Sequence, residues 1–330
     1  MSMFRRLGII GTLLFTLIGF IVITPSASAA IACMPTGFFR DSINMTAAAI
    51  NPSGTVSGNV DATSCNIGVY YDHGTGTVSN ANVHGANYFG IVVNGDVNNV
   101  SVDIKESKIH DIGETPLNGT QHGVAIYYRG AGAGSADGKI WNNTISNYQK
   151  GGVVTNFSGT HVSINDNTVA GQGSVAYIAQ NGIQVGYGAD ASVMRNTVTG
   201  NSYTGNSTVS GGIIVVGGPG YGEAYTVGTQ IVGNTVVNND VGIFLTDIAA
   251  DGSAPATATN VKVINNTISD SAVTNGYIYQ AGVSDVGNND KIINNKISGA
   301  GYDPATLPGS TFAVDADASF TNRAKVHANK

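Results

Sequence analysis

Charge is what this sequence has least of. Lys, Arg, Asp and Glu make up 11% of its 330 residues, against ~25% in a typical soluble domain. The formal net charge is −6, so no broad basic footprint of the kind nucleic acid needs is present. The same balance argues against electrostatic docking onto anionic polymers over a wide face and leaves room for local basic spots. Cysteine is nearly absent, with Cys33 and Cys65 the only two. Amphipathic helical patterns of ten residues or more are missing, which argues against a strand–helix repeat. After residue 23 no apolar run is long enough to span a membrane.

The first 29 residues read as a leader. A basic MSMFRR is followed by an apolar run from Leu7 to Ile23, then TPSASAA with small residues at Ala27 and Ala29. This is the pattern of a secretory signal peptide, with cleavage expected after Ala29. An uncleaved anchor is the rival, since the run just reaches spanning length. A lipoprotein reading of Ala30-Ile31-Ala32-Cys33 is weaker, because the apolar run ends ten residues before the cysteine. Loss of Arg5 and Arg6 with the leader would take the charge from −6 to −8 (−6 − 2). In a secreted or extracytoplasmic chain an even pair of cysteines suggests a Cys33–Cys65 disulfide, with two free thiols as the alternative.

The rest of the chain is organised by a repeat. Asn143-Thr144-Ile145, Asn167-Thr168-Val169, Asn196-Thr197-Val198, Asn234-Thr235-Val236, Asn266-Thr267-Ile268 and Asn295-Lys296-Ile297 recur at gaps of 24, 29, 38, 32 and 29 residues. Such periods mark a solenoid or array. A short alternating run precedes each copy (KIWN, HVSIN, SVMR, QIVG, VKVIN, KIIN), and a third run led by Gly follows: GIVV from Gly90, GVAI from Gly123, GVVT from Gly152, GIQV from Gly182, GIIV from Gly212, GIFL from Gly242 and GVSD from Gly282. Each period therefore holds three short strands separated by turns.

Three strands per turn describe an all-β solenoid, a right-handed parallel β-helix of about eight coils. Stacked coils bury the face that one coil cannot bury alone. Val83, Ile109, Ile145, Val169, Val198, Val236, Ile268 and Ile297 should form an inner column, and the six asparagines a ladder at a tight turn. Ala81 and Ser107 stand at the ladder position in earlier coils, so the ladder should start at the third. Residues 30–330 form one domain in this reading, with coils over 76–300, an N-terminal cap over 30–75 and a C-terminal cap and tail over 301–330. FFRDSINMTAAAI is a candidate short helix in the first cap. FAVDADASF is a candidate last strand, and RAKVHANK a loose tail.

The pattern x-x-(Asn/Asp)-Asn-Thr-(Ile/Val)-Ser … Gly-(Ile/Val)-x-(Val/Leu), from about Val78 to Gly299, resembles the right-handed parallel β-helix repeat of the pectin-lyase-like superfamily. That superfamily holds lyases, hydrolases, epimerases, adhesins and phage tailspikes. The resemblance implies a carbohydrate-directed protein whose partner is a polysaccharide or cell-surface glycan. In enzymes of the superfamily the groove often lies along the Gly-led strands. Carried over, it would run past His122, Tyr127, Tyr128 and Arg129, then Lys150, with Tyr187, Asp240 and Asp247 as substrate-binding residues. A lyase acting on a uronate needs a cation for the carboxylate (Arg129 or Lys150) and a base for the C5 proton (Tyr127, Tyr128 or His122). A hydrolase needs two carboxyl groups, for which Asp240 and Asp247 are the best pair, with Glu114 in a loop.

No Asp-Asp pair, Gly-His-Gly or clustered calcium-binding aspartates accompany these residues, so calcium is unsupported and no cofactor is demanded. The alternative is a non-catalytic surface or extracellular binding protein. A flat outward row of Thr144, Thr168, Thr197, Thr235 and Thr267 also resembles the faces of ice-binding solenoids and of surfaces that dock on crystalline polymers. Nothing in the sequence sets an oligomeric state.

Overall fold

The computed structural model describes residues 32–316 and the backbone of residues 325–327. The leader expected over residues 1–29 lies outside them. Among the described residues the chain from Cys33 to Ala316 is a right-handed parallel β-helix with three strands per coil, the hand that parallel crossover connections take. The glycine-led sheet stacks eleven strands: Met34–Arg40, Ile43–Ile50, Ile67–Tyr71, Phe89–Asn94, Val124–Arg129, Gly151–Asn156, Asn181–Gly186, Gly211–Gly217, Val241–Asp247, Gln280–Asp285 and Thr311–Ala316. All its pairings are parallel except the first. The second sheet includes Val100–Lys105, Ala136–Trp141, Thr160–Asn165 and Asp190–Met194. The third includes Lys108–Ile112, Thr144–Tyr148, Thr168–Val175 and Thr197–Tyr203. Gly74–His84 serves both, because it bends at Asn80.

The bend between the second and third sheets is the same in the eight coils from Gly74–His84 onward. Asn80, Glu106, Asn142, Asp166, Arg195, Gly233, Asn265 and Asn294 all have left-handed backbone, with φ between 51° and 68°. Asn, Asp and Gly tolerate that conformation best, which explains most of this column. The next residue turns inward and is the ladder residue. From Asn167 onward each Asn Oδ1 accepts both the backbone N–H and the Nδ2–H of the ladder residue one coil earlier. For Asn196 these bonds come from Asn167 at 3.0 and 2.9 Å. Its own Nδ2 donates to Asn234 Oδ1 and to the Ile164 carbonyl. The pattern runs unbroken from Asn143 to Asn295. Ser107 caps it by donating its N–H to Asn143 and accepting from Ala81, so the ladder begins at Asn143 as expected, in what is the fourth coil once Thr55–Asp61 is counted.

Two residues on, the expected inner column is in register from Val83 to Ile297 and buried throughout. Opposite it stand the glycines of the glycine-led sheet. A Cβ at Gly182 would meet Val198 Cγ1 at 2.4 Å and the Gly212 carbonyl at 2.5 Å. Gly90, Gly152, Gly212, Gly242 and Gly282 face the same kind of contact, so the column needs glycine for want of room. The register of one coil differs from the sequence reading. Ala125, not Gly123, occupies the glycine column, since Val124 pairs with Gly151 and Ile126 with Val153.

Three expectations about the ends are overturned. FFRDSINMTAAAI is not helical; it lies in an antiparallel hairpin of Met34–Arg40 and Ile43–Ile50. The coils begin well before residue 76, since Thr55–Asp61 pairs in parallel with Gly74–His84 and Ile67–Tyr71 with Phe89–Asn94. The third sheet then has nine strands, from Thr55–Asp61 to Lys296–Ser298, one more than eight. The tail is not wholly loose, because Lys325–His327 pairs with Lys291–Ile293. Thr311–Ala316 supplies the expected last strand of the glycine-led sheet. Cys33 and Cys65 form a disulfide that ties the hairpin to the first coils.

Replacing Asn196 by Ala leaves two buried donors of Asn167 without an acceptor. It should cost about 3 kcal/mol or more in denaturant unfolding, at about 1–3 kcal/mol per orphaned group. Thr168→Ala, on the exposed row beside the ladder, should stay within about 0.5 kcal/mol. Equal effects would contradict the ladder's role.

Candidate functional site

Side chains alternate along the glycine-led strands, so the register decides what faces outward. Tyr70, Val92, Tyr127, Val154, Gln184, Ile214, Phe244 and Ser284 pair strand to strand and form the outward column. Arg129 and Asn156 lie on the same face, two residues further on. Tyr71, Tyr128, Thr155, Val185, Val215 and Leu245 point into the core.

The N-terminal hairpin shapes this outer face. Phe38 and Met45 join Tyr70, Phe89, Val92 and Tyr127 in a second apolar cluster, outside the main core. The hairpin tip, where Asp41 and Ser42 have φ of 52° and 65°, brings Arg40 close enough to donate from Nη2 to the Gln121 carbonyl. A cavity of about 320 Å³ opens between the tip and the following strands. Tyr127, Arg129, Lys150 and Tyr187 line it, together with Arg40, Gln121, Asn156, Phe157 and Gln184. Four of the eight candidate residues therefore meet in one concavity.

The other four do not reach it. Tyr128 is fully buried and donates its hydroxyl to the Val102 carbonyl at 2.6 Å; burial pushes its phenol far above the usual range. It cannot serve as a base. His122 is buried beside the cavity, stacked on Tyr88 at 3.8 Å between centroids, with Nε2 2.7 Å from Glu114 Oε1. It steadies the loop, and Glu114 is engaged with it. Asp240 is buried and accepts from the N–H groups of Tyr203 and Ser210 and from Asn275 Nδ2. Asp247 is buried and accepts from Thr226 N–H, and burial pushes its carboxyl up to about 7. Neither carboxyl group faces a substrate groove, so they are not substrate contacts, and the hydrolase pair drawn from them falls.

Within the cavity the two central cations differ. Arg129 is spoken for: its Nε lies 3.1 Å from Asp96 Oδ1 and its Nη2 2.7 Å from Oδ2. Its guanidinium also sits between the rings of Phe38 and Phe157, at 5.2 and 5.3 Å. Lys150 donates to the Ala179 carbonyl at 2.9 Å and, among the described residues, forms no ion pair. Burial pushes its ammonium down to about 8, because a charge with no counter-charge is costly out of water. Burial likewise raises the phenols of Tyr127 and Tyr187, so both stay protonated.

Two walls of the cavity are held in strained backbone. Phe157 has φ of 76° and Tyr187 of 60°. A bulky residue in this region is a genuine outlier, and such outliers gather at functional sites. Their rings lie 5.7 Å apart. Gln184 donates to Asn156 Oδ1 at 3.0 Å and joins the two coils across the floor.

Sequence reasoning missed Arg40, Asn156, Phe157 and Gln184, and it missed the buried glutamines behind the site. Gln149 accepts from the N–H groups of Glu114 and Asn118 and donates to Thr120, so it fixes the 113–122 loop. Gln180 and Gln280 bond to neighbouring loop backbone in the same way. The recurring Gln just ahead of the Gly-led runs was the available signal. The outward threonine row is present and in register from Thr144 to Thr267, with Lys296 at its end. Among the described residues, no group of three or more His, Cys, Asp or Glu is placed to hold a metal, and no helix is long and apolar enough to cross a membrane.

No family model matches the chain, and no curated protein matches it. Two solved structures are similar to it. One is XylC in complex with xylose, at 13% identity and a TM-score of 0.39, over 70% of this chain and 35% of that one. The other is the A-module of the mannuronan C-5 epimerase AlgE6 of Azotobacter vinelandii, at 10% identity and a TM-score of 0.32, over 86% of this chain and 88% of the module. The chain thus spans about a third of XylC.

The lowered Lys150 ammonium sets a pH dependence. Between about pH 8 and pH 10.4 the unfolded chain holds a proton on this lysine that the fold has released, so stability rises with pH across that window. Lys150→Met should be more stable than the parent at pH 7. The gap should narrow by about 2–3 kcal/mol by pH 10 in denaturant titrations. A gap that does not change with pH would mean that the ammonium is solvated.

Proposed function

We propose that this protein binds a uronate-containing polysaccharide along the outer face of its glycine-led sheet, with a sugar carboxylate on Lys150. The observation that carries the reading is an unpaired ammonium inside an aromatic-walled cavity. A carboxylate entering there would supply the missing counter-charge at a site already shielded from water. Tyr187, Phe157 and Tyr127 offer faces and edges for a sugar ring. Gln184, Asn156 and Gln121 offer amide donors and acceptors for its hydroxyls. Residues with these roles on a charge-poor surface make recognition local, which suits one sugar unit better than a broad electrostatic face. In this reading the protein is exported, and its partner is an extracellular or cell-surface glycan.

A second reading, β-elimination, draws on the lowered value at Lys150. A lysine near 8 is a usable base at mildly alkaline pH. In that case Arg40 and the free side of Arg129 would hold the carboxylate. Lys150 Nζ would take the C5 proton, the C4–O bond would break, and a C4=C5 double bond would form. A phenol, from Tyr187 or Tyr127, would protonate the departing oxygen. Against this stands the engagement of Arg129 with Asp96, so binding without cleavage is the leading reading.

Oligogalacturonate and oligoalginate distinguish these outcomes, with binding followed by calorimetry and product by ultraviolet absorbance of the unsaturated uronate. Binding by the parent should weaken at least about tenfold in Lys150→Ala and persist in Lys150→Arg. Unsaturated product that vanishes in Lys150→Arg while binding survives would establish the lyase. Failure of the parent to bind either oligomer would overturn both readings.

A further inference from the structure

The outward column that floors the Lys150 cavity does not end there. From Gln184 it passes through Ile214 to Phe244 and Ser284, at ~4.8 Å per strand. Over Phe244 and Ser284 a second cavity opens, of about 470 Å³. Its walls are aromatic: Tyr221, Tyr277 and Tyr279 with Phe244. Tyr221 and Tyr277 are 44% and 55% exposed, which is unusual for large rings not covered by the fold. Gly188, next to Tyr187, donates its N–H to Thr226 Oγ1 at 3.1 Å, so the 217–229 loop that carries Tyr221 is bonded to the turn that carries Tyr187.

The chemistry of the second cavity is the opposite of the first. No Lys or Arg lines it among the described residues. Asp315 does, and Tyr279 donates its hydroxyl to Asp315 Oδ2 at 2.6 Å, with Ser284 Oγ 2.8 Å from the same phenol oxygen; Asp285, in register with Leu245, turns its carboxylate inward. A uronate would be repelled here. A neutral ring would find apolar faces to stack on and carboxylate and hydroxyl oxygens to accept its hydroxyl protons.

The loop that carries these rings is held in place. Ile278 has φ of 60°, a strained value for a β-branched residue. Asn275, which begins the loop, is buried and donates to the Tyr203 and Thr208 carbonyls and to Asp240 Oδ2. A Cβ on Gly276 would meet the Thr204 carbonyl at 2.1 Å. Asp240 thus anchors the segment that presents Tyr277 and Tyr279, which is why it is buried and not in a groove. Among the described residues three apolar or aromatic ones have left-handed backbone: Phe157 and Tyr187 line the first cavity, and Ile278 stands between Tyr277 and Tyr279, which line the second.

We infer that the Tyr221–Tyr277–Tyr279 cavity is a second saccharide subsite, one that takes a neutral sugar residue of the same polymer chain. The partner is then a heteropolymer, acidic over the Lys150 coils and neutral two to four strands further along. This deepens the reading above and rests on it for the course of the polymer; the experiment separates the two. The protein is run in affinity electrophoresis through gels containing soluble xylan, galactomannan, laminarin or arabinogalactan. At least one of these neutral polymers should retard it. Retardation should fall at least about tenfold in Tyr277→Ala, hold in Tyr277→Phe, and be unchanged in Lys150→Ala. Tyr277 is exposed, so unfolding of the variant is not expected, and a matching thermal transition checks this. No retardation by any of the four polymers, retardation indifferent to Tyr277→Ala, or retardation lost with Lys150→Ala would each overturn the second subsite.

Discussion

The rest of the structure depends on a single repeated contact, the asparagine amide that bonds to the next asparagine one coil away. The chain must turn sharply between its second and third sheets, and the turn is buried on its inner side. A left-handed residue makes the bend, and the bend leaves backbone N–H and C=O groups pointing inward with no strand to pair with. The amide satisfies both kinds at once: Oδ1 takes two donors from one neighbour, and Nδ2 gives one proton to the other neighbour and one to a strand carbonyl. Serine can begin such a chain but cannot continue it, which is why Ser107 stands at its end.

A ladder of this kind also fixes register. A one-residue slip would exchange the inner and outer sets of every strand. With register fixed, Tyr128 must point to the core and Tyr127 and Arg129 must point out, whatever their chemistry. The face that carries the two cavities then owes its shape to departures from the repeat. The hairpin tip supplies one wall, and two aromatic residues in left-handed backbone supply another. The Tyr277–Tyr279 loop, tied to Asp240, supplies the walls of the second cavity. Regular coils give a stable frame, and irregular segments give it concavity.

The sequence carried the frame plainly and the site in part. The asparagine spacing gave the coil, the turn and the inner Val/Ile column, because stacking constrains each of these to one residue type. The glycine column was legible except at Ala125, where a small residue with a methyl group fits and hides the register. Tyr127 and Tyr128 were both candidates because adjacent strand residues face opposite ways, and nothing local says which of the two faces out. Asp240 and Asp247 were chosen as scarce carboxylates on a Gly-led strand, but scarcity does not reveal that backbone N–H groups hold them indoors. Arg40 and the hairpin were not legible at all. Their placement depends on contacts across more than eighty residues, such as Arg40 to Gln121, and no local pattern encodes those. Lys150 and Tyr187 were found as isolated residues; only the fold put them in one cavity.

The central claim is that Lys150 is a shielded ammonium awaiting a carboxylate. Lysine-selective NMR, followed through a pH titration with and without trigalacturonate, tests it most directly. The account predicts one lysine that titrates near 8 in the free protein and moves upward when the acidic sugar binds, because a bound anion favours the charged form. The Lys150→Arg variant should lack that resonance. A titration in which every lysine stays at its ordinary value, or in which the low-titrating lysine ignores the sugar, would contradict it.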